Sequence, residues 1–237
     1  MTRDNEIADK PDYELVVNKE DLLKWIKRIR ERGLVCVDTE TTSLDYMSAR
    51  LVGISIAVDP QNAAYIPFGH DYLGAPAQLS EKYVLSELKP ILEDKCIKKV
   101  GQNIKYDLSV LSQHGIDMQG VFFDTMLQSY VLDATATRHD MDTLAAKHLN
   151  YSTIKFEDIA GTGSSQLTFN QIPLEKAGPY AAEDADISLR LFNALDCRVR
   201  SEDSLLKLYN DIEMPLIAVL SRMECRGALI DGSLLLN

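Results

Sequence analysis

The period of apolar and polar positions changes repeatedly along this chain, and each change marks an element. Residues 13–17 form a short strand candidate. Asn18 then caps a helix with Asp21 in its first turn, Leu22, Leu23, Trp25, Ile26 and Ile29 on one stripe, and Gly33 at its end. Residues 34–38 are nearly all apolar, as in a strand buried on both faces. Residues 51–58 and 63–68 flank Asp59-Pro60-Gln61-Asn62, which predicts a hairpin. A helix follows over 80–93, a short strand over 98–101, and a helix over 104–114 closed by Gly115. Phe122-Phe123-Asp124 is a further short strand before a helical run over 125–132.

Beyond that run the pattern is mainly helical, apart from a Gly/Ser/Thr-rich loop over 161–165. Strands with interspersed helices, followed by helices alone, predict an α/β fold. A mixed β-sheet would carry helices on both faces and precede a mostly helical C-terminal part. Near the end the texture shifts again. A helix begins at Met214-Pro215, and Gly227-Ala228-Leu229-Ile230-Asp231 reads as a new strand. Residues 1–12 are polar and charged and read as a tail or linker.

Composition narrows the classes. The chain has 237 residues, 46% of them hydrophobic, enough for one large domain with a real core. Its 25 basic and 36 acidic residues give a net charge of −11, against the usual trend for a nucleic-acid binder. Cys36, Cys96, Cys197 and Cys225 form no C-x-x-C pair, so reduced thiols are expected. Neither a signal peptide nor an apolar run near the ~20 residues of a membrane span is present, so a soluble, cytoplasmic protein without membrane contact is expected. Gly161-Thr162-Gly163-Ser164-Ser165 lacks the lysine of a phosphate-binding loop and has no strand before it.

Three acidic motifs carry the chemistry. In Asp38-Thr39-Glu40 the carboxylates are two apart on a strand and share one face, where a divalent cation would remove their repulsion. The same spacing at Asp4/Glu6, Asp12/Glu14 and Asp211/Glu213 follows no apolar strand. In Asn103-Ile104-Lys105-Tyr106-Asp107 the ends are one helical turn apart; an Asn N-cap with a surface Asp is the bland alternative. In Tyr180-Ala181-Ala182-Glu183-Asp184 the ends again share a helix face, with Pro179 in that helix's first turn and small alanines that let it lie close to a sheet.

In order and position these motifs resemble the tyrosine-bearing branch of the DEDD exonucleases. The surrounding residues are similar to the proofreading 3′-5′ exonuclease domain of bacterial family A polymerases: Val37-Asp38-Thr39-Glu40-Thr41, Val100-Gly101-Gln102-Asn103, Arg138-His139-Asp140-Met141-Asp142 and Gln166-Leu167-Thr168-Phe169-Asn170. The resemblance implies an RNase H-like sheet. It implies an exonuclease domain over 13–203 and the truncated start of a polymerase domain over 204–237.

It further implies two divalent ions, Mg²⁺ or Mn²⁺, with Zn²⁺ an option at one site. Asp38, Glu40 and Asp184 would hold one ion, and Asp38 with Asp107 the other; Tyr180 and Glu40 would orient the attacking water. Leu44 and Phe156 would wedge against terminal bases, Thr41, Gln102, Asn103 and Tyr106 would bind the terminal nucleotide, and Arg138 the backbone. The implied partners are a single-stranded DNA 3′ end, a nucleoside monophosphate product and a polymerase domain. Lys98, Lys99, Lys105, Arg138, His139, Lys147, His148 and Lys155 are candidates for a local basic track. An RNase D-like exoribonuclease shares the motifs and differs in its handling of the 2′-OH. A catalytically silent support module is the other alternative, against which stands the presence of every carboxylate and the tyrosine.

Overall fold

Along the strand Leu34–Thr41, alternate positions enter different cores. Val35 and Val37 pack with the helices of one face, and Cys36 packs with the long helix of the other. Period-2 alternation therefore sends Asp38 and Glu40 to the side of Cys36, and Thr39 to the opposite side. The computed structural model describes residues 11–135 and 138–231.

That strand is β2 of a six-stranded sheet formed with β1 (Asp12–Leu15), β3 (Leu51–Asp59), β4 (Asn62–Pro67), β5 (Lys98–Gly101) and β6 (Val121–Asp124). The order is β1-β4-β3-β2-β5-β6. Strand β3 runs antiparallel to both neighbours, while β1 pairs parallel with β4, and β2, β5 and β6 are parallel. The sheet is thus mixed, as the sequence predicts. The β3–β4 hairpin turns at Gln61, whose φ of 63° is left-handed. The β2–β3 register slips between Glu40 and Thr41, a bulge that re-aims side chains at the strand end.

The helices are α1 (Lys19–Arg32), α2 (Glu81–Leu92), α3 (Ile104–Gln113), α4 (Thr125–Leu132), α5 (Met141–Leu144), α6 (Phe156–Ala160), α7 (Leu174–Arg200), α8 (Asp203–Leu208) and α9 (Met214–Arg226). Helix α1 is capped as expected: Asn18 Oδ1 accepts from the Asp21 amide at 3.0 Å, and Gly33 ends it at φ 64°. Leu22, Trp25, Ile26 and Ile29 bury its stripe against the sheet with α2 and α3, whereas Leu23 is exposed. Helix α7 covers the other face through Ala182, Ala185 and Leu189.

Two expectations at the C-terminal side change. Pro179 lies inside the long helix α7, not in its first turn, because the helix starts at Leu174 after Pro173. The Glu175 carbonyl consequently lacks its helical donor. Among the described residues the strand expected over 227–231 does not form, and Leu229 and Ile230 are exposed. Helix α9 forms and lies on α3, where Ile217 joins the core and Ser221 Oγ meets Ser109 Oγ at 3.0 Å. Most of the expected 1–12 tail, and residues 232–237 of the expected C-terminal unit, lie outside the described residues. Among the described residues no helix is long and apolar enough to cross a membrane.

Candidate active site

The end of β2 meets α7 on one side and α3 on the other. Ligand oxygens of Asp38, Glu40 and Asp184 all lie within 4.8 Å of one another. Asp107, on α3, is fixed from behind: its Oδ1 accepts from the Thr39 amide at 2.9 Å and the Thr39 hydroxyl at 2.6 Å. Glu40, Asp107 and Asp184 are buried, and Glu40 Oε1 has no hydrogen-bond partner. Opposite Glu40 in the register stands Gly53, and a Cβ there would meet the Tyr65 hydroxyl oxygen at 2.3 Å. Only a glycine leaves room for that ring beside the acidic strand end.

The electrostatics follow from burying carboxylates together. Burial lifts the Asp38 carboxyl to about 6, with only the Ser55 hydroxyl acting the other way. Burial raises Glu40 well above the carboxylate range, and the charges of Asp38, Asp184 and Asp107 add to it. Asp107 and Asp184 are raised by burial and then by Asp38. Asp38 is therefore the hub to which the other carboxylates couple. Burial, then the charge of Asp184, pushes the Tyr180 phenol far above its usual range, so it keeps its proton.

The carboxylates open into a cleft of about 640 Å³. Thr41, Leu44, Gln102, Asn103, Tyr106 and Phe156 all line it, with Tyr180 at its wall. Leu44 is 94% exposed at the rim, so it belongs to no core. Phe156 packs edge-on against Tyr180 at 6.1 Å between centroids. The Tyr106 hydroxyl donates to the Ser43 carbonyl at 2.6 Å and lies 2.5 Å from the Thr41 hydroxyl. Gln102 is committed on both ends: its Nε2 donates to the His139 carbonyl at 2.8 Å, and its Oε1 accepts from the Thr125 hydroxyl. Arg138 does not line the cleft and pairs at the surface with Asp140 at 3.2 Å.

Asn103 takes a left-handed conformation, φ 57°, and makes no side-chain cap. The cap of α3 comes instead from Asp124, a residue the motifs did not single out. Its Oδ2 accepts from Ile104 N at 2.8 Å, and its Oδ1 accepts from Asn103 N at 3.4 Å and from Leu127 N at 3.1 Å. The only sequence signal for it is an Asp placed immediately before a helical run. One carboxylate thus anchors α3 and α4 together and leaves the Asn103 amide group for the cleft.

Several of the residues proposed for a basic track are engaged elsewhere. Lys99 is fully buried, its Nζ on the Asp94 carbonyl. Lys105 pairs with Glu224 at 2.6 Å, and Lys155 with Asp142 at 2.6 Å. Lys98 sits over the Phe122 ring, and His148 faces Arg198.

Residues 13–200 match the family of 3′-5′ exonucleases. The chain belongs to that family. Within the family, this exonuclease domain is 54% identical over 226 residues to DNA polymerase I of Pseudomonas aeruginosa and 43% identical over 244 residues to DNA polymerase I of Rhizobium leguminosarum. The matches cover 94% of this chain but 25% and 24% of those proteins, so the exonuclease domain spans about a quarter of their length.

Solved structures share this fold. The polymerase-domain structure of Pol1 from M. smegmatis, in complex with DNA primer-template and dNTP, aligns with a TM-score of 0.72 at 19% identity. That alignment covers 92% of this chain and 33% of that one. Brucella melitensis NrnC with bound Mg²⁺ aligns at 0.63 and 22% identity over 91% of this chain and 92% of its own.

Proposed function

We propose that this exonuclease domain hydrolyses single-stranded or frayed DNA from the 3′ end, releasing nucleoside 5′-monophosphates, as the proofreading part of a DNA polymerase I. One observation carries the reading. The structure gathers Asp38, Glu40 and Asp184 at one point, backs them with Asp107, and sets a protonated Tyr180 beside them in an open cleft.

The donor set fits divalent cations. Buried carboxylates without cationic partners resist joint ionisation, and an all-oxygen set suits Mg²⁺ or Mn²⁺. The orphaned Glu40 Oε1 marks an acceptor that lacks its partner. Asp38, Glu40 and Asp184 would hold one ion and Asp38 with Asp107 a second. Bound there, such ions supply positive charge for the phosphate and for the oxygens that attack and leave.

The chain's own groups supply the rest. Tyr180 retains its proton beside Asp184, so its hydroxyl would orient a water without removing a proton from it. Glu40, beside it, accepts from the same water. Exposed Leu44 and half-buried Phe156 flank the entrance as apolar wedges, which favour unpaired ends because a paired base must first unstack. Among the described residues that line the cleft none is a lysine or arginine, so binding to the phosphate backbone is weak and steeply salt-dependent.

DNA is favoured over RNA because the relatives of highest identity named above are DNA polymerases. A gel assay with DNA and RNA strands of one sequence, in Mg²⁺ and in EDTA, tests this for wild type and Asp38→Ala. Stepwise shortening of DNA from its 3′ end, lost in EDTA and in the variant, supports the reading. Equal shortening of RNA would move the assignment to an exoribonuclease, and no shortening of either strand would leave a silent module.

A further inference from the structure

The segment 151–155, between the π-helical turn after α5 and the start of α6, leads directly to Phe156 at the cleft wall. It has no regular secondary structure, yet side chains from elsewhere hold it at each end. Glu183, adjacent to Asp184 on α7, is buried and points both carboxylate oxygens into it. Its Oε1 accepts from the Tyr151 hydroxyl at 2.6 Å, and its Oε2 accepts from the Ile154 amide at 2.6 Å. From the other side, Asp142 of α5 accepts from the Thr153 hydroxyl at 2.5 Å and pairs with Lys155 Nζ at 2.6 Å. Ile154 and Phe156 join the apolar cluster around Phe169 and Ala177, and Phe156 rests edge-on against Tyr180.

We infer that Glu183 is a positioning residue for substrate. Its carboxylate clamps the strap 151–155 to the helix that carries Asp184 and Tyr180, and so fixes Phe156 against the terminal base of a single strand. The inference rests on the single-strand exonuclease reading above. The geometry separates the roles of neighbours on one helix. Asp184 turns to Asp38 and Glu40, whereas Glu183 turns to the strap and contacts no group of the acidic cluster through its hydrogen bonds. A buried carboxylate that accepts two short hydrogen bonds is costly to remove, because the Ile154 amide and the Tyr151 hydroxyl then lose their acceptor inside the protein. With the clamp gone, the strap relaxes and the apolar wedge loses its fixed height above the chemistry.

Glutamine has the same shape. Its carbonyl can accept from the Ile154 amide while its amino group donates to the Tyr151 oxygen, so it keeps the clamp without the charge. Glu183→Ala, Glu183→Gln and Tyr151→Phe are compared with wild type for steady-state cleavage of a single strand and of a fully paired 3′ end, Mg²⁺ affinity by calorimetry, and melting temperature. The expected result for Glu183→Ala is a KM for single strands raised roughly tenfold, a smaller change in kcat, a reduced preference for unpaired ends, and unchanged Mg²⁺ affinity. Glu183→Gln restores KM and preference, and Tyr151→Phe shows a part of the effect while remaining folded.

Glu183→Ala or Tyr151→Phe with wild-type KM and preference overturns the inference and leaves the exonuclease reading intact. Loss of Mg²⁺ affinity in Glu183→Ala and Glu183→Gln alike also overturns it, since Glu183 would then act through its charge on the acidic cluster. A wild-type protein that shortens no DNA overturns the exonuclease reading and this inference with it.

Discussion

Asp107 reaches the acidic strand by accepting two hydrogen bonds from Thr39, the residue between Asp38 and Glu40, with its amide at 2.9 Å and its hydroxyl at 2.6 Å. The side chain that faces away from the cluster is therefore the one that registers α3 on β2. Thr39→Val keeps the shape and the amide bond but removes the hydroxyl donor. It should lower stability by about 1–3 kcal/mol and lower exonuclease rate, with Thr39→Ser restoring both. Urea denaturation and the gel assay check this; a Val variant as active as the Ser variant would mean that the hydroxyl does not set the position of Asp107.

Asp38 gives up stability to the site. Its carboxyl rises from an ordinary 3.8 to about 6 on folding, chiefly by burial. The native state then binds more protons than the unfolded state across that window. The contribution is fully present below pH 3.8 and is lost as pH rises through about 6. Asp38→Asn should therefore be more stable than wild type in EDTA at pH 8, by roughly 1–3 kcal/mol, and nearly equal at low pH, while being inactive. Melting curves at both pH values check it, and a variant less stable than wild type at pH 8 would remove the electrostatic account.

Divalent ions should reverse that deficit. If Mg²⁺ binds the native cluster alone, a concentration of 100 times Kd adds about 2.7 kcal/mol to wild type. The gain should be largely absent in Asp38→Asn and Asp184→Asn. Equal Mg²⁺ shifts in all of these proteins, followed by scanning calorimetry, would place the binding elsewhere.

His70 titrates in the opposite sense. Burial depresses its ring to about 4, against an ordinary 6.5. Its Nδ1 faces the Ile172 carbonyl at 3.0 Å and must carry the proton, leaving Nε2 to accept from the Tyr65 hydroxyl at 2.8 Å. The unfolded state binds the extra proton first, so this contribution is present above 6.5 and is lost as pH falls through about 4. Ring proton or nitrogen shifts should show no titration between pH 8 and 5. A midpoint near 6.5 would show that the ring is not confined as the structure has it.

Leu44 separates binding from folding. At 94% exposure it contributes nothing to the core, so Leu44→Ala should change stability by less than about 0.5 kcal/mol. It should raise KM for single strands with little change in kcat. A variant with wild-type kinetics would remove Leu44 from the substrate contacts.

Local pattern made much of this legible. Asn18 and Gly33 bracketed α1 because caps and left-handed turns are local choices, and the strand–turn–strand over 51–68 followed from its turn chemistry. The acidic motifs were legible through spacing, since a strand repeats every second residue and a helix turns within four. Pro179 falls inside α7 rather than at its start because a proline reads as a helix start, whereas tertiary packing extends α7 back to Leu174, with Leu174 and Ala177 buried in the core. Residues 227–231 have strand-like side chains, but a strand exists only by pairing, and they pair with none of the described strands.

The mixed α/β order and the sharing of faces by paired carboxylates follow from local periodicity, whereas the choice of Asp38, Glu40, Asp107, Tyr180 and Asp184 as a set rests on the order of the motifs and their resemblance to a known exonuclease branch. Packing between distant segments settles that Thr39 seats Asp107, that Asp124 and not Asn103 caps α3, that Lys99 is buried, and that Glu183 faces the strap while Asp184 faces the cluster. These are contacts between residues distant in sequence. Burial sets which hydrogen bonds must be satisfied, and no local pattern records which partner satisfies them.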